Sequence, residues 1–126
     1  LIEAEDQRTI YEDDEVDVFI AAALANPAGS EREGEWISII NLENQEVDLE
    51  GWTVSDTKRQ PKPLTGKLGP GEALRIQPIA PLTLANSGGV IELFNAAGNR
   101  IDRVKHDKNR GKIEGRPIVF AYRNIL

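Results

Sequence analysis

The sequence predicts an all-β protein, an antiparallel sandwich or barrel of about seven to nine short strands. Short apolar segments alternate with polar residues at a period of two, and clusters of turn residues separate these segments. No stretch shows sustained helical periodicity. A chain of 126 residues amounts to one domain, and it can bury about two-thirds of its surface on folding.

The first 15 residues predict an acidic linker or N-terminal arm, which is followed by one domain over residues 16–126. The arm ends in four adjacent acids, Glu12-Asp13-Asp14-Glu15, and such acids repel one another and are usually solvated. Calcium binding is the alternative for this run. A calcium loop, however, spaces its oxygen ligands at alternate positions and has a glycine at its turn, and this run has neither.

Residues 16–24 predict the first strand, which the turn residues of 26–29 end. Strict alternation places five apolar residues on one side of this strand, namely Val16, Val18, Ile20, Ala22 and Leu24. The opposite side is also largely apolar, so we expect both faces of the strand to be at least partly covered.

The second strand is predicted over residues 36–41. Ile37 and Ile39 share one face of it, which we place in the core, and the opposite face carries Trp36 and Ile40. If these last two side chains are exposed, they form a candidate anchor for a partner protein or a neighbouring domain. The alternative is that a flanking loop or the N-terminal arm covers them.

A polar turn then leads to Val47 and Leu49, and the chain continues as a strand through residues 53–55. Gly51 supplies a positive φ or a bulge just before Trp52. We place Trp52 in the core.

The second half of the chain contains the remaining turn and strand signals in a regular order. Residues 57–63 are basic and flanked by proline, which predicts a loop. Further turns are predicted at residues 69–71, 86–89 and 96–99, and further strands around residues 74–76, 90–94, 100–106 and 118–122.

An ordered set of short motifs runs through residues 16–106: Glu35-Trp36-Ile37, Asn41, Val47-Asp48-Leu49, Gly51-Trp52, Ser55-Asp56, Gly69-Pro70-Gly71, Leu74, Asn86-Ser87-Gly88-Gly89, Ile91 with Leu93, Gly98-Asn99 and Ile101-Asp102. In this order and at this spacing the chain closely resembles the lamin tail domain, specifically its bacterial branch. The resemblance implies an immunoglobulin-like β-sandwich without catalytic residues. In bacteria such domains look like accessory modules that are attached to other proteins, including hydrolases and nucleases.

Reactive side chains are scarce in this sequence. The chain has no cysteine, which excludes thiol catalysis and cysteine-ligated zinc. Its single histidine, His106, is followed by Asp107 and Lys108 and is more typical of a solvated residue at a strand end than of a general base. No nucleophile pattern and no phosphate-binding glycine loop is present. We therefore predict that the chain is not an enzyme and binds no metal and no cofactor.

Positive charge is concentrated in the second half of the chain. Residues 1–63 carry 16 acids and 5 bases, whereas residues 64–126 carry 5 acids and 10 bases. Six of these bases form a candidate polyanion-binding site, namely Arg103, Lys105, Lys108, Arg110, Lys112 and Arg116. The net charge of −6 and the lack of an aromatic residue between His106 and Pro117 argue against nucleic acid as the partner, and a solvated loop is the alternative interpretation.

The leading hypothesis is a non-catalytic interaction or positioning module of a larger bacterial protein, which binds protein through an exposed sheet face and loops. One alternative is polyanion or nucleic-acid binding through residues 103–116, and another is an accessory domain of a hydrolase whose catalytic domain is not in this chain.

Because methionine is absent, we expect the chain to be a processed product or a piece of a longer protein. Its longest apolar run, residues 18–24, is shorter than the roughly 20 residues of a membrane helix. Cytoplasmic and exported locations are both compatible with this sequence.

Overall fold

The computed structural model describes residues 17–25, 34–85, 88–107 and 115–120, which form two four-stranded antiparallel sheets and a two-stranded ribbon. The ten strands of these residues are β1 (Val18–Leu24), β2 (Trp36–Asn41), β3 (Val47–Asp48), β4 (Thr53–Ser55), β5 (Pro61–Pro63), β6 (Lys67–Leu68), β7 (Ala73–Ile76), β8 (Gly88–Phe94), β9 (Arg100–Asp107) and β10 (Ile118–Val119). The sheets enclose one apolar core, which confirms the predicted antiparallel β-sandwich.

The strand order interleaves early and late segments of the chain. The first sheet has the order β10-β1-β2-β7, the second has the order β5-β4-β8-β9, and β3 pairs with β6 in the ribbon. β8 and β9 form a hairpin, in which the N–H of Asn95 donates to the carbonyl oxygen of Asn99 (2.9 Å) and Gly98 has a φ of 84°. This confirms the hairpin predicted at residues 96–99.

The core between the sheets is aliphatic apart from a few aromatic side chains. Its fully buried members come from both sheets and include Ile20, Ile37, Ile39, Val54, Ile91, Leu93 and Val104. Trp52 is 5% exposed and packs within this cluster, so its predicted place in the core is confirmed. Burial of this apolar surface is the main force that holds the two sheets together.

Strand β1 contains a bulge that changes which residues point into the core. Val18 and Ile20 are buried as predicted, but the next buried residues are Ala23 and Ala25. The register with β2 shifts between Ile20 and Ala22, which inserts one extra residue and reverses the alternation beyond it. The prediction of unbroken alternation through residue 24 is therefore wrong.

Residues 57–63 are not entirely a loop, because Pro61–Pro63 forms β5 and pairs with β4. β5 is the outermost strand of the second sheet, where proline is tolerated because its missing N–H would have faced away from the sheet. Strand β8 likewise begins at Gly88, two residues earlier than predicted. The predicted arm over residues 1–15 lies outside the described residues, as do residues 86 and 87 of the predicted turn.

Asn41 at the end of β2 is fully buried and holds two turns against the strand. Its Nδ2 lies within 3.1 Å of the carbonyl oxygens of Gln45, Leu68 and Gly69, and its Oδ1 accepts a hydrogen bond from the N–H of Glu43 (2.8 Å). Both polar atoms of the buried amide are thus satisfied. The side chain ties the turn after β2 to the end of β6.

Asp102 on β9 connects the two sheets along one side of the sandwich. Its side chain is 1% exposed, its Oδ2 accepts a hydrogen bond from the N–H of Ile20 on β1 (2.7 Å), and its Oδ1 accepts one from the N–H of Arg103 (2.9 Å). β9 is the last strand of its sheet, and β10 pairs with β1 only at Ala22 and Ala23. The carboxylate therefore accepts hydrogen bonds from backbone N–H groups at a place where regular strand pairing ends.

Candidate functional site

The outward side of the second sheet is the candidate site, and we call it the basic face. Val54 and Leu93 point into the core, so the residues beside them along each strand point outward. The register places Ser55, Glu92 and Arg103 next to one another on that outward side. The basic face consists of Thr53, Ser55, Arg59, Pro61, Glu92, Phe94, Arg100, Arg103 and Lys105.

A groove of about 560 Å³ crosses the basic face. Its lining combines side chains of β4, β5, β8 and β9 with the tip of the β8–β9 hairpin. Arg59 and Arg100 bring guanidinium groups to it, and Pro61 and Phe94 bring apolar surface. Small-molecule sites in proteins have volumes of roughly 300–1,000 Å³, so the groove has room for one or two peptide side chains.

Glu92 lies between two arginines of the basic face. One of its carboxylate oxygens, Oε2, lies 2.5 Å from a guanidinium nitrogen of Arg100 and 3.8 Å from Nε of Arg103. The carboxylate is largely buried, and both arginine side chains are partly exposed. One negative charge therefore faces two positive ones at this point of the basic face.

Arg59 reaches the groove from a turn that Asp56 organises. The buried carboxylate of Asp56 accepts hydrogen bonds of 3.0 Å from the N–H groups of Lys58, Gln60 and Thr83, and its carbonyl oxygen accepts one from the N–H of Arg59 (2.8 Å). Arg59 has a φ of 63°, a conformation that costs a non-glycine residue of order 1 kcal/mol or more and is concentrated at functional sites. No carboxylate of the described residues lies within 4 Å of its guanidinium.

Ser55 contributes a hydroxyl group to the lining of the groove. Its Oγ is buried and has no hydrogen-bond partner among the described residues. A buried hydroxyl without a partner is uncommon, because leaving one unsatisfied costs about 1–3 kcal/mol.

The structure brings together only part of the predicted polyanion site. Arg103 and Lys105 lie on the basic face, next to Arg100 and Arg59, which the sequence did not indicate. Arg116 is exposed two residues before β10 and so lies beside the first sheet. Lys108, Arg110 and Lys112 lie outside the described residues, and their predicted role stays a prediction.

Trp36 and Ile40 lie on the outward side of the first sheet, as the alternation predicted. Trp36 is nevertheless only 7% exposed, and the guanidinium of Arg75 on β7 lies 4.0 Å from the centre of its ring. Ile40 is half-buried. Arg75 thus covers the ring from the neighbouring strand β7, and a binding role for Trp36 and Ile40 stays a prediction.

His106 is buried, so its predicted place as a solvated residue is wrong. Its side chain is 3% exposed because β9 extends through residue 107 and carries the ring beneath the segment around Ala85. Its Nε2 lies 3.1 Å from the carbonyl oxygen of Ala85, and since a carbonyl only accepts, Nε2 carries the hydrogen. Nδ1 is buried without a partner among the described residues.

Two further features of the described residues concern metal binding and the crossing of a membrane. No group of three or more histidine, aspartate or glutamate side chains in this part of the chain is placed to hold a metal ion. Within the same residues, no helix has the length and apolar character that crossing a membrane requires.

The model of the lamin tail domain family matches residues 12–108 of the 126. The matched range includes β1 to β9 and the whole basic face. No curated protein matches the sequence. The family match confirms the resemblance that the ordered motifs indicated.

Proposed function

Because the chain belongs to the lamin tail domain family, whose domains are immunoglobulin-like β-sandwiches, we propose that it is a non-catalytic interaction module of a larger bacterial protein. In this proposal it binds a partner protein through the basic face and the loops beside it. The fold alone does not determine function, so the proposal rests on the site. The observation that supports it is the groove of about 560 Å³, which joins charged, hydroxyl and apolar side chains on one sheet.

The basic face is well suited to recognition because its side chains project from a sheet whose other side is the core. Val54, Leu93 and Val104 are fully buried directly behind it. The loop that carries Arg59 is fixed by hydrogen bonds to Asp56. Binding groups that are already held in place lose less conformational entropy when a partner binds.

The proposal is tested by selecting binders for the 126-residue chain from a phage-displayed library of random peptides. Thr53→Trp places a large side chain at a half-buried position that lines the groove, and tryptophan is compatible with a strand. Glu46→Trp is the matched control, because residue 46 is exposed in the turn before β3 and does not line the groove. Circular dichroism checks that both variants are folded.

We expect the selected peptides to bind the parent chain and the Glu46→Trp variant equally well. Thr53→Trp should weaken the same peptides by about tenfold or more, which corresponds to the loss of about 1.4 kcal/mol. A selection without enriched peptides, or peptides that bind both tryptophan variants alike, would refute the proposal.

Polyanion binding is the second candidate, because Arg103 and Lys105 share the basic face with Arg59 and Arg100. Binding of this kind is electrostatic and weakens steeply as salt is added. Retention of the chain on heparin resin is the measurement, with an Arg103→Ala and Lys105→Ala double variant for comparison. Retention that persists at physiological salt and is lost in the double variant supports this candidate over the first.

A further inference from the structure

We propose that the groove on the basic face recognises an acidic peptide segment, and that Arg59 binds its carboxylate. The inference rests on the proposed function, since it names the chemistry of the partner for the same site. It also defines a role for two residues that the sequence did not single out as functional: Arg59 and Phe94.

The local charge favours an acidic ligand. Arg59, Arg100 and Arg103 on the basic face are accompanied by one acid, Glu92, which already contacts two of them. Of these, Arg59, Arg100 and Glu92 line the groove itself, so its described lining carries two positive charges and one negative charge in a chain whose net charge is −6. An incoming carboxylate gains more there than at most other places on this surface.

Arg59 is the residue best placed to bind that carboxylate. Its backbone adopts a left-handed conformation (φ 63°) that glycine would occupy more readily, and Asp56 holds the turn in place. Arginine at such a position costs folding energy, and backbone strain of this kind is concentrated at functional sites. A guanidinium can bind a carboxylate through two parallel hydrogen bonds, which an ammonium cannot do.

The rest of the lining suits a peptide in which acids alternate with apolar residues. Phe94 is half-buried and Pro61 is exposed, and both offer apolar surface within the same groove as the arginines.

A nucleic acid fits these observations less well than a peptide. Asp107 lies beyond Lys105 on the same strand, so a chain of phosphates that followed β9 would meet negative charge there. Nucleic-acid grooves follow the backbone with a row of cations and stack successive bases on aromatic side chains. Phe94 is the only aromatic residue in the lining of this groove.

The test measures fluorescence anisotropy of labelled synthetic probes titrated with the 126-residue chain. The first probe is a peptide in which glutamate alternates with leucine, and the second replaces every glutamate by glutamine. The third is a single-stranded DNA oligonucleotide of the same net charge as the first. The variants are Arg59→Ala and Lys58→Ala. Lys58 is the matched control because it is the neighbouring exposed cation and does not line the groove.

We expect the glutamate peptide to bind at least about tenfold more tightly than the glutamine peptide, since one charge-assisted pair is worth about that factor. Arg59→Ala should remove about tenfold of this affinity, and Lys58→Ala should change it by less than about twofold, as expected for an exposed charge. Equal binding of the two peptides, or an unchanged affinity in Arg59→Ala, overturns the inference. Tighter binding of the DNA than of the glutamate peptide overturns it as well.

The outcomes separate this inference from the proposed function. If the phage selection yields neutral or basic peptides that the Thr53→Trp variant no longer binds, the groove is a protein-binding site and only its preference for acids is wrong. If no selected peptide depends on residue 53, the proposed function itself fails.

Discussion

The carboxylate of Asp102 on β9 accepts a hydrogen bond of 2.7 Å from the backbone N–H of Ile20 on β1, so one buried side chain connects the two sheets. The same carboxylate accepts a hydrogen bond from the N–H of Arg103. Asp102→Ala removes both acceptors, one for the N–H of Ile20 in a buried position and one for the N–H of Arg103 in a partly buried one. Because each unsatisfied donor costs about 1–3 kcal/mol, we expect the free energy of unfolding to fall by roughly 2–4 kcal/mol. Urea denaturation followed by circular dichroism measures it.

Asp102→Asn keeps the shape of the side chain and one acceptor oxygen, so it should cost less than Asp102→Ala. Glu46→Gln is the control for loss of one negative charge at an exposed position. Equal stability of Asp102→Ala and Glu46→Gln would show that the connection between β9 and β1 contributes nothing.

Arg59→Gly should stabilise the protein and impair its binding at the same time. Glycine adopts a φ near 63° without steric cost, so we expect the free energy of unfolding to rise by about 1 kcal/mol. The same variant lacks the guanidinium and should bind the glutamate peptide about tenfold more weakly. Thermal and urea unfolding give the first quantity, and anisotropy gives the second. A less stable Arg59→Gly variant would contradict the strain that the backbone geometry implies.

Arg75→Ala should expose Trp36. The guanidinium lies 4.0 Å from the centre of the indole ring, and a contact of this kind is worth about 0.5–1 kcal/mol at a partly exposed site. The experiment uses a Trp52→Phe background, in which Trp36 is the only tryptophan. We expect a red shift of the emission and stronger quenching by acrylamide in Arg75→Ala. Lys105→Ala, on the other sheet, should leave both signals unchanged.

Trp52→Ala should leave the domain unfolded or nearly so. Truncation of a buried large aromatic side chain costs about 3–5 kcal/mol, which is a large part of the stability of a typical domain. Trp52→Phe retains a ring and should lose less. Thermal melting followed by circular dichroism compares them, and a Trp52→Ala variant that melts close to the parent would show that the ring contributes little to the core.

The alternation of apolar and polar residues predicted the strands well. Successive side chains of a strand point to opposite faces of the sheet, and this does not depend on which strand is its neighbour. Alternation places Ile37 and Ile39 on β2 in the core, and both are fully buried. The bulge in β1 could not be read in the same way. A shift of one residue among consecutive alanines leaves the apolar pattern of the sequence unchanged.

The candidate site depends on pairings between distant segments, which is why the sequence alone indicated only Arg103 and Lys105. Glu92 follows Ile91 and precedes Leu93, so alternation could have placed it outward. The place of Arg59 depends instead on the pairing of β5 with β4. The prolines at both ends of β5 indicated a loop, so the sequence did not predict that strand. The burial of His106 likewise depends on a hydrogen bond to Ala85, in a segment distant from β9 in the sequence.

The interleaved strand order has a consequence for any attempt to divide the molecule. A cut between Pro63 and Leu64 would assign β1 to β5 to one fragment and β6 to β10 to the other, so that each sheet, and the ribbon, would receive half of its strands from each piece. Neither fragment could bury its apolar strand faces alone. The two would carry net charges of 5 − 16 = −11 and 10 − 5 = +5 and would attract each other. Mixing two separately expressed halves should therefore restore the sandwich.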